Sequence, residues 1–403
     1  MRSWAIIAAG LLAAGSAHGA MARTISVAAG PDAQTRLQLA LIEAVSGDVV
    51  EIGAGTFDLT DGLNLDADGV IVRGAGAERT ILNFAGQLGA GEGLLVTGDH
   101  VVLRDFTVRD TRGDGIKSKQ AHNIVYLNLR VDWSGEPKAT NGAYGVYPVE
   151  SENVLIDGVF VRGASDAGIY VGQSRNIIVR DSVAVQNVAG IEIENSFNAD
   201  VHDNVATGNA GGILVFDLPG LPQQGGHNVR VFDNVIINNM TPNFAPAGNI
   251  VASVPTGTGV IIMANRDVEV FDNIFDGNGT ADVLISGYRY GAAPAGYSPA
   301  PQRVRILANI HGRSGFEPGP QFPGGAQMAA AMGGSLPPII WDGSGSEIRV
   351  SDTVHVASLG LPDLSQSRDA ANPTMVDLTG DAPWSRLPAI TLPAAMEAAA
   401  NQP

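Results

Sequence analysis

Apolar and polar residues alternate through the middle of the chain, and the alternation restarts at regular intervals. Near-copies of one motif, an Asn followed by apolar residues and a polar turn, place Asn153, Asn176 and Asn198 23 and 22 residues apart. One interval contains three apolar pairs, Ile177 and Val179, Val183 and Val185, and Ile191 and Ile193. A spacing of two residues is typical of strands. Three short strands in a repeat of about 22 residues predict a parallel β-helix, whose coils stack ~4.8 Å apart.

A short amphipathic helix is predicted ahead of the repeats. Leu37, Ala40, Leu41 and Ala44 share one helical face, and such a helix can cover the open end of a β-helix. We predict a β-helix domain at 23–362, made of a cap at 31–66, regular coils at 67–288, an irregular Gly- and Pro-rich insertion at 289–338 and closing strands at 339–362. A C-terminal tail follows at 363–403.

The first residues have the pattern of a secretory signal peptide. Arg2 precedes an apolar run from Ala5 to Ala14, and small residues continue to Ala22. The run is too short for a stable membrane span, and no later stretch is long and apolar enough to cross a bilayer. We therefore expect residues 1–22 to be removed by cleavage after Ala22, and the protein to be periplasmic or extracellular without a membrane span.

The charge and the absence of cysteine limit the partners. A formal net charge of −17 argues against binding to nucleic acid or to anionic membranes. The chain has no Cys, so neither disulfides nor covalently attached haem are expected. A long β-helix buries enough apolar surface to be stable without disulfides.

Aligning the third strand of each repeat on its glycine predicts which side chains point outward. The residue after the glycine is Leu, Ile or Val and should point inward, so the next one points outward. This outward row contains Leu95, Lys117, Tyr147, Tyr170, Glu192, Leu214 and Ile261. A second row, two residues along, contains Thr97, Lys119, Val149, Gly172, Glu194, Phe216 and Met263. Long insertions flank these strands on both sides, an arrangement that builds the walls of a groove.

The two rows contain residue types that suit a sugar-binding groove. Lys117 and Lys119 can neutralise a carboxylate, and Tyr147 can stack on a sugar ring. Glu192 and Glu194 are candidate acid/base residues or Ca²⁺ ligands; no other cofactor is indicated. The predicted substrate contacts are Tyr170, Glu150, Trp133 and Phe216. The alternative is a solvated face on which Lys and Glu maintain solubility.

Two further polar sets are interpreted as structural. Asp105, Asn128, Asp157, Asp181, Asp203, Asp233 and Asp272 occupy one equivalent turn. Asp and Asn cap turns by bonding nearby backbone groups and tolerate left-handed conformations. The histidines that raise the question of a metal are His100, His122, His202 and His227. They include no close-spaced pair and have no Cys partner, so no metal site is predicted.

The repeats resemble those of the right-handed parallel β-helix superfamily of carbohydrate-active proteins, which includes pectate lyases, polygalacturonases and mannuronan C5-epimerases. The resemblance covers Gln34 to Tyr288 and implies an all-β, single-stranded right-handed parallel β-helix. The chain also looks like secreted bacterial parallel β-helix repeat-containing proteins of unknown function. Genes of that family often neighbour one for a c-type-cytochrome-like protein, which implies an extracytoplasmic protein partner.

One segment is similar to the Tyr-Gly-Phe-Asp-Pro-His motif of alginate epimerases and lyases. Here it reads Tyr144-Gly-Val-Tyr147-Pro-Val149, so Tyr147 and Val149 replace the Asp and His that serve proton transfer at C5 in that family. The resemblance implies a uronate polysaccharide lyase or C5-epimerase. A replacement set would combine Tyr144 or Tyr147 with the two lysines and the two glutamates of the outward rows, because the reaction needs a base, an acid and carboxylate neutralisation.

Two other functions stay open at this point. A non-catalytic module that binds glycan or a partner protein is favoured by the missing Asp and His. It is also favoured by an apolar outward patch, Leu214, Phe216, Ile261 and Met263, although we expect the insertion 240–257 to bury this patch. A glycoside hydrolase would use Glu192 and Glu194 as its two carboxylates, which lie ~7 Å apart at Cα on one strand.

Overall fold

The structure, a computed structural model, describes residues 22–89, 91–291, 293–380 and 385–401. The predicted signal peptide lies outside the described residues except for Ala22. No helix in these ranges is long and apolar enough to cross a membrane.

Three parallel sheets run the length of the molecule, and each coil contributes one strand to each sheet. Sheet 1 has twelve described strands: Thr24–Val27, Val49–Ile52, Ile71–Gly74, Val102–Arg104, Ile124–Leu127, Glu152–Asp157, Arg175–Arg180, Phe197–His202, His227–Phe232, Arg266–Phe271, Gln302–Leu307 and Ser346–Val350. Sheet 2 has ten: Gly55–Asp58, Thr80–Asn83, Thr107–Arg109, Arg130–Asp132, Phe160–Arg162, Val183–Val185, Val205–Thr207, Val235–Ile237, Ile274–Asp276 and Ile310–His311.

Sheet 3 contains the strands that were aligned on their glycines. Its twelve described strands are Leu63–Leu65, Leu94–Val96, Ile116–Lys119, Tyr144–Val149, Ala167–Gly172, Ala189–Glu194, Gly211–Phe216, Thr258–Met263, Ala281–Ser286, Ile339–Trp341, Val356–Ser358 and Thr374–Val376. Only the last of these strands pairs antiparallel with its neighbour. The predicted fold class is confirmed: stacked coils of three short strands form a β-helix.

Equivalent residues of successive coils stack directly on one another. Ile169, Ile191 and Ile213 are register partners across sheet 3, and all three are fully buried. Stacking like on like fills the narrow interior with β-branched side chains that suit a pleated surface. This in-register core keeps the sheet, and therefore the residues on its outer face, in fixed positions.

Ladders of asparagine hold the turns. Inside the β-helix, the amide of Asn187 donates to Asn209, and Asn209 donates in turn to Asn239, over 3.1 and 3.0 Å. Each buried amide group thereby finds a partner in the next coil, which avoids the cost of an unsatisfied polar group. An outer ladder contains the asparagines that define the repeat, with Asn176 donating to Asn153 over 3.1 Å.

The Asp and Asn turn has the conformation that its composition predicts, with one correction. Positive φ angles of 49–63° occur at Asp105, Asn128, Asp181, Asp203, Asp233 and Asp272. Asp157 does not belong to this set, because it is the strand partner of Arg180. The left-handed position in that coil is taken by Gly158, with a φ of 66°.

The N-terminal end of the β-helix is covered, and the C-terminal tail packs along its side. Helix α1, Ala33–Glu43, buries Leu37 and Leu41 against the first coil. The tail includes a one-turn helix, Arg368–Ala370, and helix α3, Ala394–Ala400. Helix α3 packs on the outer face of sheet 1, where Met396 joins an apolar cluster. The Glu397 carboxylate pairs with Arg180 at 2.9 Å, so the tail is anchored to the coils.

Insertions cover one half of sheet 3. The predicted irregular segment 289–338 holds a strand of each of the other two sheets and helix α2, Gly325–Ala331. It lies over the sheet together with the insertion 240–257, which contains the short helix Ile250–Ser253. As expected, the patch beneath is buried: Leu214, Phe216, Ile261 and Met263. The N-terminal half of the outer face stays more accessible.

Candidate functional site

The outward row of sheet 3 has the predicted register, but its exposure falls along the helix axis. Lys117 is paired with Leu95 and Tyr147, and Tyr170 is paired with Glu192. Lys117 and Tyr147 are partly exposed, whereas Tyr170 is 4% and Glu192 1% exposed. Side chains that point outward are therefore exposed to solvent only at the N-terminal end of the row.

A cation and two carboxylates meet at that end. The Nζ of Lys117 lies 3.2 Å from the Oε1 of Glu92 and 3.8 Å from the Oδ2 of Asp114. It also lies 4.8 Å from the ring centre of Tyr147, in cation–π geometry. Burial raises the pKa of Asp114 to about 6, although the charge of Lys117 opposes the rise. Asp114 can therefore gain or lose a proton near neutral pH, beside a fixed positive charge.

Three tyrosines pack together next to Lys117. The ring centres of Tyr144, Tyr147 and Tyr170 are 4.5–4.9 Å apart in tilted and edge-to-face arrangements. The Tyr170 ring lies against Gly172, where an added Cβ would be 2.4 Å from the ring. Its hydroxyl donates to the Oε1 of Glu194 over 2.6 Å. The absence of a side chain at Gly172 thus lets Tyr170 reach Glu194.

Buried carboxyls lie beside the tyrosines. Burial raises the pKa of Asp166, Glu192 and Glu194, and their mutual repulsion adds to the rise at Asp166 and Glu192. Asp166 accepts a bond of 3.3 Å from the amide of Asn249, in the covering insertion. Neither oxygen of Glu192 has a hydrogen-bond partner among the described residues. Burial without hydrogen-bond partners therefore favours the neutral, protonated form of Glu192.

The sequence interpretation missed Glu92, Asp114 and Asp166. Glu92 and Asp114 directly precede the aligned glycines Gly93 and Gly115, and Tyr144 has the same position before Gly145. These three residues form a third row next to Lys117, which the same alignment could have identified. Asp166 lies further from its glycine, and the alignment gives no reason to select it.

Lys119 and Glu150 lie away from the tyrosine cluster. Lys119 is exposed beside Val149. Glu150 accepts a bond of 2.8 Å from Gln120 and lines a small polar pocket with Gln173 and Arg175. Neither contacts the Lys117 end of the row through a described hydrogen bond or ion pair.

Trp133 and Phe216 conflict with their predicted role as substrate contacts. Trp133 is 3% exposed, packs in the core and donates from Nε1 to the carbonyl of Thr111 over 2.7 Å. It follows a strand of sheet 2 and so lies away from the outer face of sheet 3. Phe216 points outward but is covered by the insertions. Tyr170 is buried as well, so it offers no open stacking surface.

A metal ion finds few ligands in this arrangement. No group of three or more His, Cys, Asp or Glu side chains in the described ranges is placed to hold one. A Ca²⁺ ion bound by Glu192 and Glu194 would therefore need further ligands that are not His, Cys, Asp or Glu side chains. Of the histidines, His122 accepts from the backbone of Glu152, and His202 bonds Asp203.

Comparisons with known proteins agree with the architecture. The family model described as "Right handed beta helix region" matches residues 92–292. No curated protein matches the chain significantly. Among solved structures, the Azotobacter vinelandii mannuronan C-5 epimerase AlgE4 A-module is similar at a TM-score of 0.50 and 16% identity, over 72% of this chain and 88% of that one.

Two further solved structures align at lower scores. Pectate lyase Pel9A aligns at a TM-score of 0.42 and 15% identity, over 73% of this chain and 76% of that chain. The catalytic unit of a GH87 alpha-1,3-glucanase from Streptomyces thermodiastaticus strain HF3-3 aligns at 0.47 and 16% identity, over 82% and 52%. At these identities the likeness concerns the fold alone. The family model and the coil topology together show that the chain has a right-handed parallel β-helix fold.

Proposed function

We propose that the protein acts on an acidic polysaccharide as a uronate lyase or C5-epimerase, at the Lys117 end of sheet 3. The observation that carries this proposal is the position of the Lys117 ammonium among Asp114, Glu92 and the Tyr147 ring. A fixed cation beside a carboxyl that titrates near neutrality is what proton abstraction next to a uronate carboxylate requires.

Each of the three residues has a distinct role in this mechanism. Lys117 neutralises the uronate carboxylate and so makes the C5 proton more acidic. Asp114 is ionised above pH 6 and takes that proton as general base. Burial and the charge of Asp114 raise the pKa of Tyr147 to about 12, so its phenol stays protonated and serves as the acid.

Removal of the C5 proton leaves a carbanion at C5, which can react in two ways. In elimination, its electron pair forms the C4–C5 double bond, the C4–O4 bond breaks, and Tyr147 protonates the departing oxygen. In epimerisation, Tyr147 donates a proton to C5 from the opposite face, and no bond of the sugar chain breaks. Both steps balance without a redox partner or a metal.

The roles of the acidic residues differ from those expected from the sequence. Glu192 and Glu194 lie beneath the tyrosines, so we assign them to the support of the tyrosine cluster and give the base to Asp114. Tyr144, Gly145 and Pro148 still match the epimerase motif. The likeness of fold to a protein named a mannuronan C-5 epimerase supports the proposal, and the predicted signal peptide supports a periplasmic or extracellular location.

A non-catalytic glycan- or partner-binding module is the second candidate. It is favoured by the closed packing of the tyrosines, since Tyr170 is buried and bonded to Glu194. A module of this kind could work with the c-type-cytochrome-like protein that the sequence resemblance implies. It would bind its partner on the Lys117 surface without chemistry.

Activity assays on the protein lacking residues 1–22 distinguish the two candidates. Alginate and polygalacturonate are tested for unsaturated uronate products by ultraviolet absorbance and for deuterium exchange at C5 by NMR. We expect activity that falls at least about 100-fold in Lys117→Ala and Tyr147→Phe. Lys119→Ala is the matched control, because it removes a lysine two residues along the same strand, and it should retain most activity.

Two results would contradict the proposed chemistry. Binding of an acidic polysaccharide without any product or exchange would establish the binding module. Equal losses in Lys117→Ala and Lys119→Ala would show that charge along the surface matters, and not the placement of Lys117 beside Asp114.

A further inference from the structure

A separate pocket lies on the covered half of sheet 3. Its floor is formed by outward side chains of three consecutive strands, Phe216, Ile261, Met263 and Leu284. Its walls come from the two insertions, which contribute Val254, Pro255, Phe322 and Met328, and from the segment after the strand Val356–Ser358, which contributes Leu359 and Leu361. Ile261 is five strand positions from Lys117 along the outward row, so this pocket is distinct from the proposed active site.

A buried ion pair fixes one side of the pocket. Arg289 and Asp342 are both about 4% exposed and lie 3.0 Å apart. Arg289 also donates to the carbonyls of Leu361 and Asp363, and Asp342 accepts from the backbone of Gly287. These bonds tie the tail to the coils. The pocket is thus preformed, and the charges of its ion pair are already satisfied.

The mouth of the pocket carries a different kind of charge. The hydroxyl of Tyr290 bonds both the Ser253 hydroxyl at 2.7 Å and a guanidinium nitrogen of Arg368 at 2.9 Å. Within the described ranges Arg368 has no ion pair; it is a partly exposed residue of the pocket lining, and its guanidinium lies 5.1 Å from the ring centre of Tyr290. A guanidinium in this position can receive a carboxylate in the two-pronged geometry that suits it.

We propose that this pocket binds a small aromatic carboxylic acid, with its ring on the apolar floor and its carboxylate on Arg368. The floor and walls are rich in Phe and Met, and thioether sulfur and aromatic faces favour an aromatic guest. The interior space of about 70 Å³ is small, so it admits nothing larger than a single ring, which would extend into the mouth together with the charged end. The site does not depend on the proposed polysaccharide chemistry.

Calorimetry with benzoate as the probe tests this assignment on the protein lacking residues 1–22. We expect saturable 1:1 binding with a Kd of about 1 mM, the range for a ligand of this size. Benzamide has the same ring without the charge, and it should bind at least about tenfold more weakly.

Two variants test separately what the charge of Arg368 and the apolar cavity contribute to binding. Arg368→Gln should remove the preference for benzoate over benzamide. Ala371→Phe should abolish the binding of both compounds by filling the pocket from its rim. Arg175→Gln, a change to a half-exposed arginine on another face, should leave binding unchanged. Absence of saturable benzoate binding up to about 10 mM, or unaltered preference in Arg368→Gln, would overturn the proposal. Arg368 lies at the surface, so this variant is interpretable even if Ala371→Phe does not fold.

Discussion

The two halves of sheet 3 have the same backbone and different surfaces. In the N-terminal half, the outward row presents Lys117 and Tyr147 to solvent, whereas in the C-terminal half it presents Leu214 and Ile261 to the covering insertions. The inner face does not change, since isoleucine and valine stack beneath both halves. A repeat therefore fixes where a side chain points, and the insertions decide what it meets.

The boundary between the halves explains why the carboxyls of Glu192 and Glu194 are buried. Glu192 and Glu194 lie where the open surface passes under the insertion, so they are polar residues in a covered position. Their raised pKa values follow from that burial. Tyr170 lies at the same boundary, and its hydrogen bond to Glu194 offsets part of the free-energy cost of burying that carboxyl. The proposed functional surface and a packing surface meet at these residues.

The largest expected effect is on stability in the covered half. Ile261→Lys places a charge in an apolar contact that is 3% exposed, and we expect it to lower the free energy of unfolding by about 4 kcal/mol. Leu95→Lys makes the same kind of change in the same row of the open half and should cost less than about 0.5 kcal/mol. Urea denaturation of both variants checks this contrast. Similar losses of unfolding free energy in the two variants would show that the covering insertions do not make the two halves different.

A pH-dependent effect of slightly smaller size is expected at His311, on the last strand of sheet 2. His311 is buried between Asp282 and Asp352, at 2.9 and 3.0 Å. Bonds to these carboxylates outweigh desolvation and raise the pKa of His311 from 6.5 to about 9. Because the folded pKa is the higher one, this stabilisation is complete below pH 6.5 and is lost as the pH rises to 9. The loss amounts to about 3 kcal/mol.

The difference between wild type and His311→Gln isolates this contribution from that of other titrating groups. Urea denaturation from pH 6 to pH 9.5 should show the two proteins converging as the pH rises. A constant difference over that range would mean that His311 does not change its charge on folding.

The boundary between the halves gives a third test. Gly172→Ala should displace the Tyr170 ring, break its bond to Glu194 and lower the free energy of unfolding by about 2 kcal/mol. Gly91→Ala is the control, because an added Cβ there meets nothing within 4 Å. Thermal unfolding compares them. An equally small effect of both changes would show that Tyr170 can relocate freely and that the cluster is not tightly packed.

The repeat itself could be predicted from sequence because each coil encodes it locally. Asn153 and Asn176 mark the period, and Ile191 and Ile193 identify inward positions without any knowledge of the neighbouring coils. The cover over Glu192 and the burial of Trp133 depend on how insertions distant in sequence fold back, and no local pattern records this. Asp114 was missed although its position before Gly115 is periodic, because only the residues after each glycine were compared.

The most direct test of the central claim, that chemistry takes place at the open end of sheet 3, is the pH profile of deuterium exchange at C5 of a uronate polymer. The proposed base has a pKa of about 6, so the rate should rise through pH 6 and level off above it in the wild type. In Asp114→Asn the rate should be at least about 100-fold lower at pH 7.5 and show no such rise. A wild-type rate that does not depend on pH between 5 and 7, or a full rate in Asp114→Asn, would contradict the account.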